Sequence, residues 1–180
     1  MRKRIALSAT AAALALVAAG CGGSDSSDED PTAAWASGFC SAVTSWTDEL
    51  QTVTSQFSEP SNLSEDGLQS AADDVQSATS ELVDELRALG APETESGEEV
   101  QSALDSLSTT LESEAATIDE TAQGISGITE IPSALTAVTA SLSAMGSAFS
   151  STLQTIEDAD ASNELQTALE DSPECADITS

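Results

Sequence analysis

The side chains available for chemistry in this chain are almost all carboxylates and hydroxyls. It carries 32 Asp and Glu, no His, no Tyr and three cysteines, Cys21, Cys40 and Cys175. A pair of carboxylates can cleave a glycosidic bond, one as the acid and the other as nucleophile or base. Such sites usually add aromatic platforms for the sugar, and here Trp35 and Trp46 fall at the spacing of a buried helix seam instead. A catalyst would have to work with Asp, Glu, Ser and Thr alone. No catalytic residue is assigned, and a non-enzymatic protein is expected.

Metal chemistry is almost as thin. Asp158, Asp160, Ser162 and Glu164 alternate along the chain, as the first ligands of an EF-hand loop do. However, Asn163 stands where that loop needs glycine, and Leu169 stands where its bidentate acid belongs. Asp158, Asp160 and Glu164 are therefore weak candidates only. Zinc and iron sites lack their usual histidines and spare thiolates. Most other acids, such as Asp73-Asp74, Glu98-Glu99 and Asp119-Glu120, fall between apolar positions and read as a solubilising face. No cofactor is expected, and loose association with divalent cations is the most that this face implies.

Cys21 has a different context. Arg2, Lys3 and Arg4 precede an apolar run over residues 5–19, and small residues lead into Ala18-Ala19-Gly20-Cys21. This is the pattern of a cleaved secretory signal over residues 1–20. The run of about 15 residues is shorter than the roughly 20 that a spanning helix needs. Cys21 stands where a lipidated cysteine must stand, and the Gly-, Ser- and Asp-rich residues 21–31 form a polar leash. Ala18 occupies the position where such boxes most often have leucine; the alternative is ordinary secretion with Cys21 left as a free thiol. The segment resembles bacterial lipoprotein signals. That resemblance implies a diacylglyceryl thioether on Cys21 and an acylated N-terminus, which together hold a chain stably in a membrane.

Removing residues 1–20 takes away three of the four basic residues and no acid, leaving Arg87 alone against 32 carboxylates. A chain so acidic repels nucleic-acid phosphates and anionic lipid heads, so nucleic-acid binding is excluded. Cationic proteins or divalent cations are the partners that it would attract.

Residues 32–180 carry four heptad stripes, which argue against disorder and for buried helix faces. The first is Phe39, Val43, Trp46, Leu50, Val53 and Phe57; the second is Leu68, Ala72, Val75, Thr79, Leu82, Leu86 and Leu89. The third is Val100, Leu104, Leu107, Leu111, Ile118 and Ile125. The fourth is Ile131, Leu135, Val138, Leu142, Met145, Phe149, Thr152 and Ile156. Asp30-Pro31 is a start signal, Ser61 or Asn62 can cap the second helix, and Gly90-Ala91-Pro92 ends it. Ser96 with Glu99 reads as a capping box for the third helix, and Pro132 marks the start of the fourth. A charged turn follows at Glu157-Asp158-Ala159-Asp160, and Leu165 and Leu169 suggest a short fifth helix ending before Pro173.

The expected fold is all-α: an antiparallel up-down-up-down four-helix bundle with a short fifth C-terminal helix. One position is irregular. Glu114 falls at a core register of the third stripe, where either helix drift brings Ala115 inward instead or a polar pocket opens. Arg87, in the last turn of the second helix, complements the helix dipole and can pair with Asp84.

In that topology the end of the helical region returns beside the start of the first helix, bringing Cys40 and Cys175 together. An exported compartment permits their oxidation, with two buried free thiols as the alternative. A bond closing a loop of about 135 residues would contribute roughly 5 kcal/mol in the chain-entropy model. Taken together, the signal, the leash, the Trp35/Phe39-Cys40/Trp46 start, the heptads and Pro173-Glu174-Cys175 resemble small helical lipoproteins of actinobacteria. The resemblance implies anchorage on the extracytoplasmic face of the cell membrane and carries over no catalytic or ligand-binding residue. The expected role is an interaction or binding module. A structural spacer of the envelope is the alternative, and a carboxylate-based hydrolase stands behind both.

Overall fold

The computed structural model describes residues 30–56 and 63–176. Over these the chain is all-helical: α1 Pro31–Gln56, α2 Glu65–Leu89, α3 Gly97–Gln123, α4 Ile131–Ala159, the short α5 Glu164–Asp171, and a 3-10 turn at Pro173–Cys175. The four long helices have 26, 25, 27 and 29 residues, so each can lie along the full length of its neighbour. At 1.5 Å per residue each is about 40 Å long.

Local chemistry sets most of the boundaries. At the start of α1, Asp30 Oδ1 accepts from the Thr32 N–H at 3.0 Å and the Asp30 carbonyl accepts from Ala34. Pro31 is thus the first helical residue, one position inside the segment read as linker. Ser64 caps α2, its Oγ accepting from the Gly67 N–H at 3.1 Å, with Glu65 and Asp66 complementing the dipole behind it. Ser64 thus takes the cap expected of Ser61 or Asn62, because the helix begins only at Glu65; Ser61, Asn62 and Phe57 themselves lie outside the described residues. Past the end of α2, Gly90 turns the chain at φ +65, a conformation that residues with a Cβ adopt at a cost.

Two further expected boundaries differ. Ser96 makes no capping bond to α3, and the Ser96/Glu99 capping box does not form. The turn from Pro92 is tight: Thr94 N–H donates to the Pro92 carbonyl and Gly97 N–H to that of Thr94. This holds Ser96 at φ −89 and ψ 3, away from the extended backbone that a capping side chain uses, and its hydroxyl meets Thr94 Oγ1 instead. The charged turn also begins later, because α4 continues through Glu157 and Asp158 to Ala159.

The stripes form the core. Val100, Leu104, Leu107, Leu111 and Ile118 are all enclosed on α3, and Ala115 completes the row while Glu114 stays half-buried. Helix drift resolves the irregularity, since a straight helix slips about 20° per heptad. Backbone contacts join α1 to α2, α2 to α3 and α3 to α4, and both α5 and the 3-10 turn rest on α1. Trp35, near the start of α1, donates its indole N–H to the carbonyl of Gly90, just past α2, at 2.9 Å. A separate small cluster gathers Leu68 early in α2, Ile125 just after α3, and Ile131 and Ala134 at the start of α4.

Helix α4 sits asymmetrically. Ile131, Val138, Met145, Thr152 and Ile156 are buried, whereas Leu135, Leu142 and Phe149, the other half of the heptad, are only half-buried. Ala134 and Ser141 are enclosed in their place. The helix thus rolls toward α3 and reaches α1 mainly through side chains. Phe149 stacks on Phe39 with centroids 6.3 Å apart, and Phe39 stacks on Trp35 at 5.3 Å. No helix among the described residues is long and apolar enough to cross a membrane.

Candidate functional site

Cys40 lies buried on α1 and Cys175 closes the 3-10 turn, also buried. Their sulfurs stand at disulfide distance and their Cα atoms are 5.0 Å apart. Nearby, Thr44 Oγ1 donates to the Glu174 carbonyl at 3.4 Å. The C-terminal segment is thereby fastened across α1, and α5 is drawn with it. Leu165, wholly enclosed, seats α5 on the core. The Glu174 carboxyl accepts from its own backbone N–H and from Ser172 Oγ, and these bonds to the charged form hold it below the usual carboxylate range.

The weak metal candidates separate. Asp160 is buried, and both of its carboxylate oxygens are engaged: Oδ2 accepts from the Gln166 N–H at 2.8 Å and Oδ1 from Ser162 Oγ at 3.1 Å. It takes over the capping task from Asn163, which sits left-handed at φ +58 with no capping bond of its own. Asp158 is exposed in the last turn of α4, and Glu164 is exposed at the start of α5. Among the described residues no three His, Cys, Asp or Glu side chains converge as a metal site requires.

What the elements do build is a crevice. Because α4 rolls away from α1, the space between them at the α5 end stays open, with a volume of about 370 Å³. Its walls are Phe39 and Cys40 of α1, Leu153 and Ile156 of α4, and Leu169 of α5. Glu157, Gln166 and Glu170 line it beside them, and Gln166 Nε2 donates to Glu170 Oε1 at 3.2 Å. The volume lies within the range of small-ligand pockets. A larger groove of about 720 Å³ runs along the opposite face of α5, past Asp30, Ser37, Asn163, Thr167 and Asp171. It is more open than the crevice, and most of the side chains along it are polar.

The remaining singled-out residues lie elsewhere. Trp35 and Trp46 are both buried, and Trp46 Nε1 donates to Thr79 Oγ1 at 3.4 Å, so neither offers a sugar platform. Arg87 pairs across to Glu112 of α3 at 2.9 Å, closer than the 3.9 Å to Asp84 on its own helix. Cys21 lies outside the described residues. Sequence reasoning did not find the crevice, since Leu153 falls outside the main stripe. The Ile156-Glu157 and Leu169-Glu170 pairs do not mark it either, since Leu104-Asp105, Leu111-Glu112 and Ile118-Asp119 repeat the same pairing on α3. Compared with protein-family models, curated proteins and solved structures, the chain gives no match.

Proposed function

We propose that this chain is a non-enzymatic, lipid-anchored binding module on the extracytoplasmic face of the cell membrane, carried by an antiparallel up-down-up-down four-helix bundle. The start-to-end meetings of Trp35 with Gly90, and of Leu68 with Ile125, support the antiparallel arrangement. The Ala18-Ala19-Gly20-Cys21 sequence supports cleavage and lipidation at Cys21, and the approach of Cys40 to Cys175 fits an oxidising compartment.

The observation that carries the binding role is the crevice between α1, α4 and α5. A spacer needs only a uniformly polar surface, whereas here Leu153 and Leu169 stay half-exposed at a concave site beside two carboxylates. Burial of both tryptophans argues against a glycoside hydrolase.

Crosslinking in intact cells followed by mass spectrometry tests the reading. A binding module yields a discrete adduct near α5, and a spacer yields only non-specific envelope neighbours. Cys21→Ala tests the anchor: the chain is expected to leave the membrane fraction, and retention there would reject lipidation.

A further inference from the structure

We infer that the crevice binds a small organic cation with an apolar body, a substituted amine or quaternary ammonium compound. This rests on the binding-module reading and names its ligand class.

Two halves of the site point to this chemistry. Leu153, Ile156 and Leu169, with Phe39 beside them, form an apolar recess large enough to take a ligand's body out of water. Burial there is favourable by about 25 cal/mol per Å². Glu157 from α4 and Glu170 from α5 then bring two carboxylates to the same crevice, and no Lys or Arg lines it. An anion would meet like charges, and a neutral apolar molecule would draw no attraction from the two carboxylates. A cation lacking an apolar body would gain nothing at this crevice over the rest of an acidic surface. A ligand combining both features satisfies walls and rim together. Leu165 and the Cys40–Cys175 pair hold α5, and so hold Leu169 and Glu170, in position on α1.

The test uses the full chain, titrated by calorimetry with hexyltrimethylammonium at fixed ionic strength. Tetramethylammonium, 1-hexanol and hexanoate serve as matched probes. Saturable one-to-one binding of hexyltrimethylammonium alone is expected. The variant E157Q/E170Q should weaken it about tenfold, as two part-solvated charge interactions would. D73N/D74N, which removes the same charge from an exposed part of α2, should leave binding unchanged. Equal weakening by both variants would mean diffuse attraction and overturn the site. Equal binding of tetramethylammonium or of 1-hexanol would remove the apolar or the cationic half of the proposal. If none of the probes binds while crosslinking still finds a discrete adduct at α5, the ligand class falls and the binding module stands.

Discussion

The Trp35 indole N–H donates to the Gly90 carbonyl oxygen at 2.9 Å, tying the first turns of α1 to the residue that ends α2. Gly90 occupies the left-handed region at φ +65, so the bond depends on a backbone conformation that glycine adopts without strain. Trp35→Phe would keep a ring against Phe39 while leaving that carbonyl without its donor. We expect a loss of about 1 to 2 kcal/mol, read as a lower urea midpoint. Gly90→Ala should cost about 1 kcal/mol through backbone strain.

The Cys40–Cys175 pair joins positions 135 residues apart and fastens α5. Cys175→Ser should lower stability by about 3 to 5 kcal/mol. Reductant should lower the unfolding midpoint of the parent chain similarly and leave the variant unmoved. Mass spectrometry finding both thiols free in exported protein would remove the bond altogether.

Ala115 and Glu114 are neighbours with opposite fates. Ala115→Asp would place a carboxylate among Leu111 and Ile118, and we expect a loss of about 3 kcal/mol or more. Glu114→Gln should change stability by no more than about 0.5 kcal/mol. Equal effects would mean that Glu114 takes the core register after all.

Glu130 accepts from the Ser126 N–H at 2.7 Å and from Ser126 Oγ at 3.0 Å, and the backbone bond is the larger cause of its lowered pKa. A carboxyl whose folded pKa lies below its unfolded value of 4.5 stabilises the fold above that value. The contribution is lost as pH falls through the folded pKa. Glu130→Gln should therefore be less stable than the parent near neutrality, with the gap closing below pH 4.5. A gap that persists at low pH would count against the ionised form as its source.

Self-repulsion among the carboxylates opposes folding, and Arg87 with its partners Glu112 and Asp84 relieves only a little of it. Raising ionic strength from low to moderate, or adding Ca²⁺, should raise the melting temperature by screening that repulsion. No shift would mean that the charges are already far enough apart.

What sequence by itself determined is the helical architecture. Heptad spacing names nearly all of the buried rows on α1, α2 and α3 and half of the row on α4, because a 3.6-residue turn places those side chains on one face whatever the partner. Asp30-Pro31 and Gly90 were legible for the same reason, since each acts through its own neighbouring backbone. Cys21 and its small-residue box belong wholly to the sequence. Interactions across helices were less legible. Arg87 reads as a partner of Asp84 one turn away, yet Glu112 on α3 lies closer, because distance between helices follows from packing. Ser96 is a cap by pattern, but the Pro92–Gly97 turn takes the required backbone from it. The crevice was decided by tertiary structure alone. The half-buried row Leu135, Leu142 and Phe149 has the same spacing as the buried one, and only the roll of α4 toward α3 distinguishes them. That roll leaves the α1 side open, and α5, held by Leu165 and Cys175, turns the opening into a walled recess with Glu157 and Glu170 beside it.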